Sequence, residues 1–459
     1  MESDFDRSTD AGSLDLPCLV SGFARLRDEA FPDLRFLDSG GLLEVRRKVR
    51  NVVAVRLELP KTEYLHLASV VIVADGLDDP VRQTTRRMSS AWKDYEKTLQ
   101  SGLLFDAANR EKAFHTKKDH HPWLEIVLDQ PRDLSRLRIR NVEGDNSLRE
   151  RGLQVQVRTA DGATRTLYDG VAREREFVQA AEKFGNGESV TGRLPTPARR
   201  LANRAGPTLH PAQPALVKIL TQVELHDQGA LRRNSLDRVD LPPEQVGEFR
   251  SLVNRRWLFP RELEWTSHGV RRSFRFWSSE QRQAYLGFAL EVIEALQELT
   301  PDVCFGFGSA LSIVRDHDLI PHDDDLDVLI GFEPDQAGTH TEGKQLIRDC
   351  LQDKGFRVTG GMASYQWVTP STGGTRLDVF LGVFEGDKIA WYPGRRGALT
   401  REMMFPPQTR EFLGHQVQVP AQPETYLEQI YGSGWSTPDP NFQHSWRPQD
   451  YSDIAGSTG

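Results

Sequence analysis

The sequence predicts a multidomain α+β protein, with a β-rich N-terminal region, a helical connector and a C-terminal mixed α/β domain. Three observations carry that expectation. Between residues 51 and 168, short apolar and alternating runs are separated by turn signals, with almost no helical period among them. A Pro-, Gly- and Arg-rich stretch follows, after which the apolar spacing becomes that of helices. Beyond residue 278, strand and helix patterns alternate, and one strand opens on a cluster of aspartates.

At 459 residues the chain has room for two or three cores. Hydrophobic residues at 38% and charged residues at 27% are ordinary globular values, and a formal charge of -8 argues against a dedicated nucleic-acid binder. The three cysteines, Cys18, Cys304 and Cys350, supply neither a disulfide framework nor a Cys-rich zinc site. The start MESDFDRSTDAGSLDL is acidic and lacks the apolar core of a signal peptide, and no window has the apolar length of a membrane span. A cytoplasmic location is therefore expected, free or peripheral at the inner face of the membrane.

Residues 1–40 read as an N-terminal tail with one short helix. In 41–180, strands are predicted at Val53-Val55-Leu57-Leu59, Ser69–Ala74, Trp123–Leu128, Ser135–Arg140, Leu153–Val157 and Thr166–Tyr168. Asp75-Gly76 and Asp161-Gly162 mark turns, and Met88–Gln100 is the helical exception. Many short strands of this kind argue for a β-sandwich. Residues 181–215, with Pro195, Pro197, Pro207, Pro211 and Pro214, read as a linker, because proline fixes φ and removes a backbone donor. In the connector, 216–277, Pro242-Pro243 opens a helix that spaces Val246, Phe249, Val253 and Trp257 along one face.

The last domain, 278–459, begins with Ser278-Ser-Glu-Gln281, a capping box, before a helix carrying Tyr285, Phe288, Ala289, Val292, Ile293 and Leu296 on one stripe. A strand at 303–307, a Gly308-Ser309 turn and a short helix through Val314 lead to the acidic strand. A helix with Leu346, Ile347, Cys350 and Leu351 then precedes the strand Arg376–Leu381, where Leu377, Val379 and Leu381 share one face and Asp378 projects from the other.

Asp325 and Asp327 stand two apart at the mouth of an apolar run, so their carboxylates converge while Leu326 faces the core. Two hard oxygen ligands beside a Gly-Ser turn suit a phosphate-bound Mg²⁺ or Mn²⁺, and Asp378 completes the metal shell or accepts a proton from an attacking hydroxyl. Gly308-Ser309 lets backbone N–H groups approach a phosphate, and Arg315 offers a guanidinium fork to a diphosphate oxygen. An EF-hand is excluded, since Asp316–Asp327 lacks the central Gly and terminal Glu. Asp323 and Asp324 are assigned to loop capping or to extra metal contact; His317 and His322 are taken as loop residues.

Two segments resemble known families. The run from Phe114, FHTKKDHHPWLEIVLDQPRDLSRLRIRNVEGDNSLRERGLQVQVRTADGATRTLYD, is similar to the discoidin-type (coagulation-factor type C) jelly-roll domain, which implies a β-sandwich over 41–180 and, in that family, glycan or lipid binding by loops. No loop residue here matches a binding motif. The segments GSALSIVRDHDLIPHDDDLDV, RLDVFLGVF and MMFPPQTREFLGHQVQVPAQPETYLEQIYGSGWSTPDP together resemble the LicD/fukutin family, of nucleotidyltransferase fold. The likeness covers about residues 278–440, with Ser312 in place of the family's second Gly and His322 in place of its Trp.

That resemblance implies transfer of a phospho-alcohol, such as phosphocholine or ribitol phosphate, from a CDP-activated donor to a glycan or polyol-phosphate acceptor, with CMP leaving. It assigns the metal to Asp325, Asp327 and Asp378 and the phosphate turn to Gly308 and Ser309. Enzymes of surface-polysaccharide or teichoic-acid-like polymer synthesis are then expected partners. Two other readings stay open on the residues: transfer of NMP from an NTP, and a non-catalytic carbohydrate-binding protein.

Overall fold

The computed structural model describes residues 14–76, 81–188, 210–227, 231–232, 235–360, 364–391, 394–439, 442, 444 and 447–454. The chain divides into two compact units, one of 1–231 with 235–252 and one of 232–234 with 253–459.

In the first unit, the part of the expected tail that is described folds into the core. Helix Leu16–Ala30 starts where the Asp15 carboxylate accepts the Cys18 N–H and Pro17 occupies the first turn. Its stripe of Leu16, Leu19, Val20 and Phe23 is buried, and the Phe23 and Phe177 rings meet at 5.9 Å on helix Gly170–Gly185. The signal that a weak pattern hid is tertiary: a 15-residue helix is marginal alone and is held by that packing.

The unit is β-rich. Its strands join in a six-stranded ladder in the order 164–169, 154–159, 42–58, 123–140 and 69–74, with 84–88 also paired to 123–140. Leu42–Glu58 and Trp123–Arg140 are long antiparallel partners, and the second joins two runs that the sequence separates around Pro131. A register shift between Val52 and Ala54 explains why Val55, Leu57 and Leu59 are buried while Val53 is not. The helix expected over Met88–Gln100 is instead an edge strand, Thr84–Met88, and a short helix, Tyr95–Gln100. The hydroxyls of Ser89 and Ser90 both bond the Asp119 carboxylate, which holds the chain extended before the helix begins. Most of the expected linker, 189–209, lies outside the described residues.

The expected connector is divided between the units. Helix Pro243–Val253 begins at its proline, as the sequence suggests, with Phe249 and Val253 buried. The turn Asn254–Leu258 and the hairpin Glu264–Thr266/Gly269–Arg271 belong to the second unit, where the Asn254 amide clasps both the N–H and C=O of Trp265.

The second unit opens with helix Ser279–Leu296, whose Ser278/Gln281 capping box is fully formed. Its mixed sheet runs Val303–Phe305, Asp327–Phe332, Leu377–Glu385, Tyr365–Thr369 and Arg357–Thr359, extended by Lys388–Trp391 and Leu399–Thr400. Strands Asp327–Phe332 and Leu377–Glu385 are parallel and central. Such strands are buried on both faces, and the two faces feed two cores. Val328, Ile330, Leu377, Val379 and Leu381 pack with Ile293, Ile347 and Leu351, whereas Leu329, Phe380 and Phe384 pack with Phe307, Tyr426 and Leu427. Each such side chain contributes about 1.5–3 kcal/mol. That two-sided burial gives the sheet a rigid register on which charged groups can be mounted.

Candidate active site

Register places two of the aspartates. Asp327 and Asp378 are direct partners across the parallel ladder, on the same face as Leu329 and Phe380 two residues further along. Asp325 lies just ahead of the strand, and Leu326 between the two carboxylates is buried, as the alternation requires.

Gly308 and Ser309 act on this strand. The Gly308 N–H donates to Asp327 Oδ2 at 3.1 Å, and the buried Ser309 hydroxyl accepts the Asp327 N–H at 2.7 Å. A Cβ at Gly308 would sit 2.7 Å from Asp323 Oδ2, so any side chain here would push the Asp323 carboxylate out of place. Phe307, at φ 39°, enters this turn with its N–H bonded to the Tyr426 hydroxyl at 2.9 Å. The turn thus fixes a carboxylate, and its Ser309 lies beneath the site.

In the sequence Tyr285 reads only as a core residue of its helix stripe. Its hydroxyl accepts the Leu326 N–H at 2.9 Å and donates to the Arg376 carbonyl at 2.5 Å, while the Asp378 N–H donates to the Leu326 carbonyl at 3.0 Å. One buried phenol therefore ties together the chain segments that carry Asp325, Asp327 and Asp378. The available signal was a lone hydroxyl inside an apolar helical stripe.

The cavity above these groups has a volume of about 530 Å³, with Asp323, Asp324, Asp325, Asp327 and Asp378 on one side. Burial, and then the charge of Asp325, raises the Asp323 and Asp327 carboxyls well above the usual range and lifts Asp324 to about 6 and Asp378 to about 7. Two arginines answer that charge: Arg271 Nε lies 3.3 Å from Asp324 Oδ2, and Arg376 lies 3.3 Å from both Asp325 Oδ2 and Asp378 Oδ1. Beneath the loop, buried Glu264 pairs with Arg275 at 2.7 Å, and the Phe274 N–H holds the Asp323 carbonyl at 2.8 Å.

Arg315 lines the cavity, its guanidinium engaged by both oxygens of Asp316 and by the Trp435 carbonyl at 3.2 Å. His322 lines the cavity too, and burial lowers its pKa so that the neutral ring is favoured. His317 occupies the left-handed turn that ends the helical segment through Asp316.

The donor set fits a divalent cation. Oxygens of Asp323, Asp324 and Asp325 lie within 4.8 Å of one another, and the buried Asp378 Oδ1 accepts no hydrogen bond. Carboxylates forced together with raised pKa values are relieved by a hard cation more than by protons alone. Six aromatic rings also line the cavity: Phe307, Tyr365, Phe380, Tyr431, Trp435 and Phe442.

Residues 302–422 match the family described as LicD/FKTN/FKRP, nucleotidyltransferase domain. Among solved structures, ANT(2")-Ia in complex with adenylyl-2"-tobramycin aligns at 15% identity over 30% of this chain and 69% of that chain, with a TM-score of 0.21. No curated protein matches the chain.

Proposed function

We propose, starting from the LicD-type segment at residues 302–422, that the second unit is a metal-dependent phosphotransferase of nucleotidyltransferase-like fold. It moves a phospho-alcohol from a CDP-activated donor to a hydroxyl of a glycan or polyol-phosphate acceptor and releases CMP. The polymer it builds is a surface polysaccharide or teichoic-acid-like chain. The observation that supports this best is the Asp327–Asp378 register pair on the floor of a cavity of about 530 Å³, beside the Asp323–Asp325 loop.

Asp325, Asp327 and Asp378 would hold the Mg²⁺ or Mn²⁺, with Asp323 and Asp324 within reach, and the ion supplies charge neutralisation to the diphosphate. The Gly308 N–H and Ser309 hydroxyl hold Asp327 in place, which spares it reorganisation when charge develops. If Asp325 and Asp327 alone hold the ion, Asp378 is instead free to take the proton of the attacking hydroxyl. Arg271 and Arg376 offer guanidinium forks to phosphate oxygens. Aromatic walls lower the local dielectric and exclude water from the acceptor's place.

The test is CMP release from a panel of CDP-alcohols with Mg²⁺, abolished by Asp325→Asn and Asp327→Asn; no release from any donor counts against the proposal. The likeness of residues 302–422 to a nucleotidyltransferase domain favours a second reading, NMP transfer from an NTP, for which pyrophosphate rather than CMP is the product to detect. In either case the β-rich unit, with its discoidin-like sequence, is assigned to docking of a glycan or of a neighbouring synthesis enzyme.

A further inference from the structure

Arg376 sits where a metal-binding site should not need a cation. Its guanidinium lies 3.3 Å from Asp325 Oδ2 and 3.3 Å from Asp378 Oδ1, two of the three carboxylates assigned to the ion. Both separations exceed the 2.7–2.9 Å of a tight charge-assisted bond, roughly the N–H···O⁻ norm. Asp378 Oδ1 is buried yet accepts no hydrogen bond, so the contact is coulombic and poorly directed. The side chain is 39% exposed towards the cavity that it lines, and it rests on the Trp367 indole at 4.9 Å.

Its backbone is held differently. The Arg376 carbonyl is bonded at 2.5 Å by the Tyr285 hydroxyl, so the main chain is anchored while the guanidinium end is loosely engaged. An aromatic platform stabilises the fork in more than one azimuth, because cation–π attraction depends weakly on rotation about the ring normal. Elsewhere in the cavity, Arg271 faces Asp324 and Arg315 is engaged by Asp316, so Arg376 is the guanidinium paired with both Asp325 and Asp378.

We infer that Arg376 is a displaceable internal counter-cation, which holds Asp325 and Asp378 in the metal-free protein, yields them to the divalent ion, and then takes a non-bridging oxygen of the donor's diphosphate. This rests on the phosphotransferase proposal above. The physical basis is competition: a guanidinium and a dication cannot share the same two oxygens without like-charge repulsion at short range. Once displaced, the planar fork matches a phosphate better than it matched the two separate carboxylates.

The inference makes two effects of one substitution point in opposite directions. Mn²⁺ binding, measured by titration calorimetry without nucleotide, is expected to be about tenfold tighter in Arg376→Gln than in the wild type, one competing charge being worth roughly 1.4 kcal/mol. CDP binding to the Mn²⁺-loaded protein is expected to be about tenfold weaker in the same variant. Arg376→Lys, which keeps the charge and loses the fork, retains wild-type Mn²⁺ affinity and shares the CDP defect. Thermal melting of each variant confirms that it is folded. Weaker or unchanged Mn²⁺ binding in Arg376→Gln, or unchanged CDP binding, overturns the inference while wild-type Mn²⁺ binding leaves the phosphotransferase proposal standing. Failure of the wild type itself to bind Mn²⁺ removes both.

Discussion

The two units treat buried charge in opposite ways. In the β-rich unit, buried charges are paired: Arg27 lies 2.5 Å from Glu224 and 2.9 Å from Asp28, and Arg173 grips Asp33 with two contacts of 2.9 and 3.0 Å, while the Glu150–His66 contact at 3.0 Å joins two groups that burial holds neutral. In the second unit, five aspartates share one cavity with Arg271 and Arg376, and burial and mutual repulsion push four of their carboxyls up. Balanced pairs of the first kind set geometry and register. An excess of one sign, held in a rigid frame, is a cost that folding alone does not justify, and it is what the proposed metal-dependent function would call for.

The comparison is broken most directly by removing one member from each side. Asp327→Asn and Asp378→Asn should lower CMP release by about 10³-fold or more, the scale of lost electrostatic stabilisation at a reacting phosphate, while leaving the melting temperature unchanged or raised. Glu150→Ala should do the reverse: unchanged turnover, and about 3 kcal/mol lost in a denaturant titration, because the His66 backbone N–H loses its buried acceptor. A destabilised Asp378→Asn would mean that the cluster is structural after all.

Tyr285→Phe sharpens the contrast at smaller scale. Loss of the hydroxyl leaves the Leu326 N–H and the Arg376 carbonyl unpaired, at about 1–3 kcal/mol of stability. The same change should reduce kcat about tenfold with KM little altered, since the carboxylates lose their fixed spacing without losing any ligand.

Acid should separate the units next. His66 and His115 are lowered by burial from 6.5 to about 4, so each stays neutral when folded and takes a proton when unfolded. Their stability contribution is present above pH 6.5 and is lost as pH falls towards 4, and Glu150, raised by burial, opposes part of that loss. Asp378 and Asp324, raised from 3.8 to about 7 and about 6, bind protons in the folded state first. Their contribution is present below pH 3.8 and is lost as pH rises through 6 and 7. His340, at about 4, opposes part of that gain in the second unit. Hydrogen exchange followed by mass spectrometry at pH 7 and pH 5 should show protection falling in the β-rich unit and rising around residues 323–327 and 376–380. Millimolar Mg²⁺ at pH 7 gives the smallest effect: slower exchange around those same residues, by RT ln(1 + [Mg²⁺]/Kd), and no change in the first unit.

Much of the second unit was legible because its local rules agree with its global fold. The capping box at Ser278, the alternation Leu377-Asp378-Val379 and the buried Leu326 are periodic facts, and periodicity survives into the structure. Asp327 and Asp378 each stand out as the lone acid at the mouth of an apolar strand, and the parallel ladder makes them neighbours. Other features left no periodic trace. Tyr285 acts through hydroxyl contacts to residues far away in the chain, and the bulge at Val52–Ala54 inverts an alternation that looks regular in sequence. Helix Leu16–Ala30 was hidden for a related reason: what holds it, including the Arg27–Glu224 pair, lies almost 200 residues away, roughly the distance over which local patterning says nothing.

Finally, the cavity draws its boundary from three stretches of chain. The acid floor comes from within residues 302–422, but Thr266, His268 and Arg271 precede that span, and Tyr431, Trp435, Phe442 and His444 follow it. Segments on both sides of the matched span thus complete a cavity whose acids lie within it. Under the phosphotransferase proposal, exchanging the aromatic flank beyond residue 422 between relatives would retune which alcohol or sugar is accommodated, whereas the flank that carries Arg271 belongs with the phosphate-binding groups.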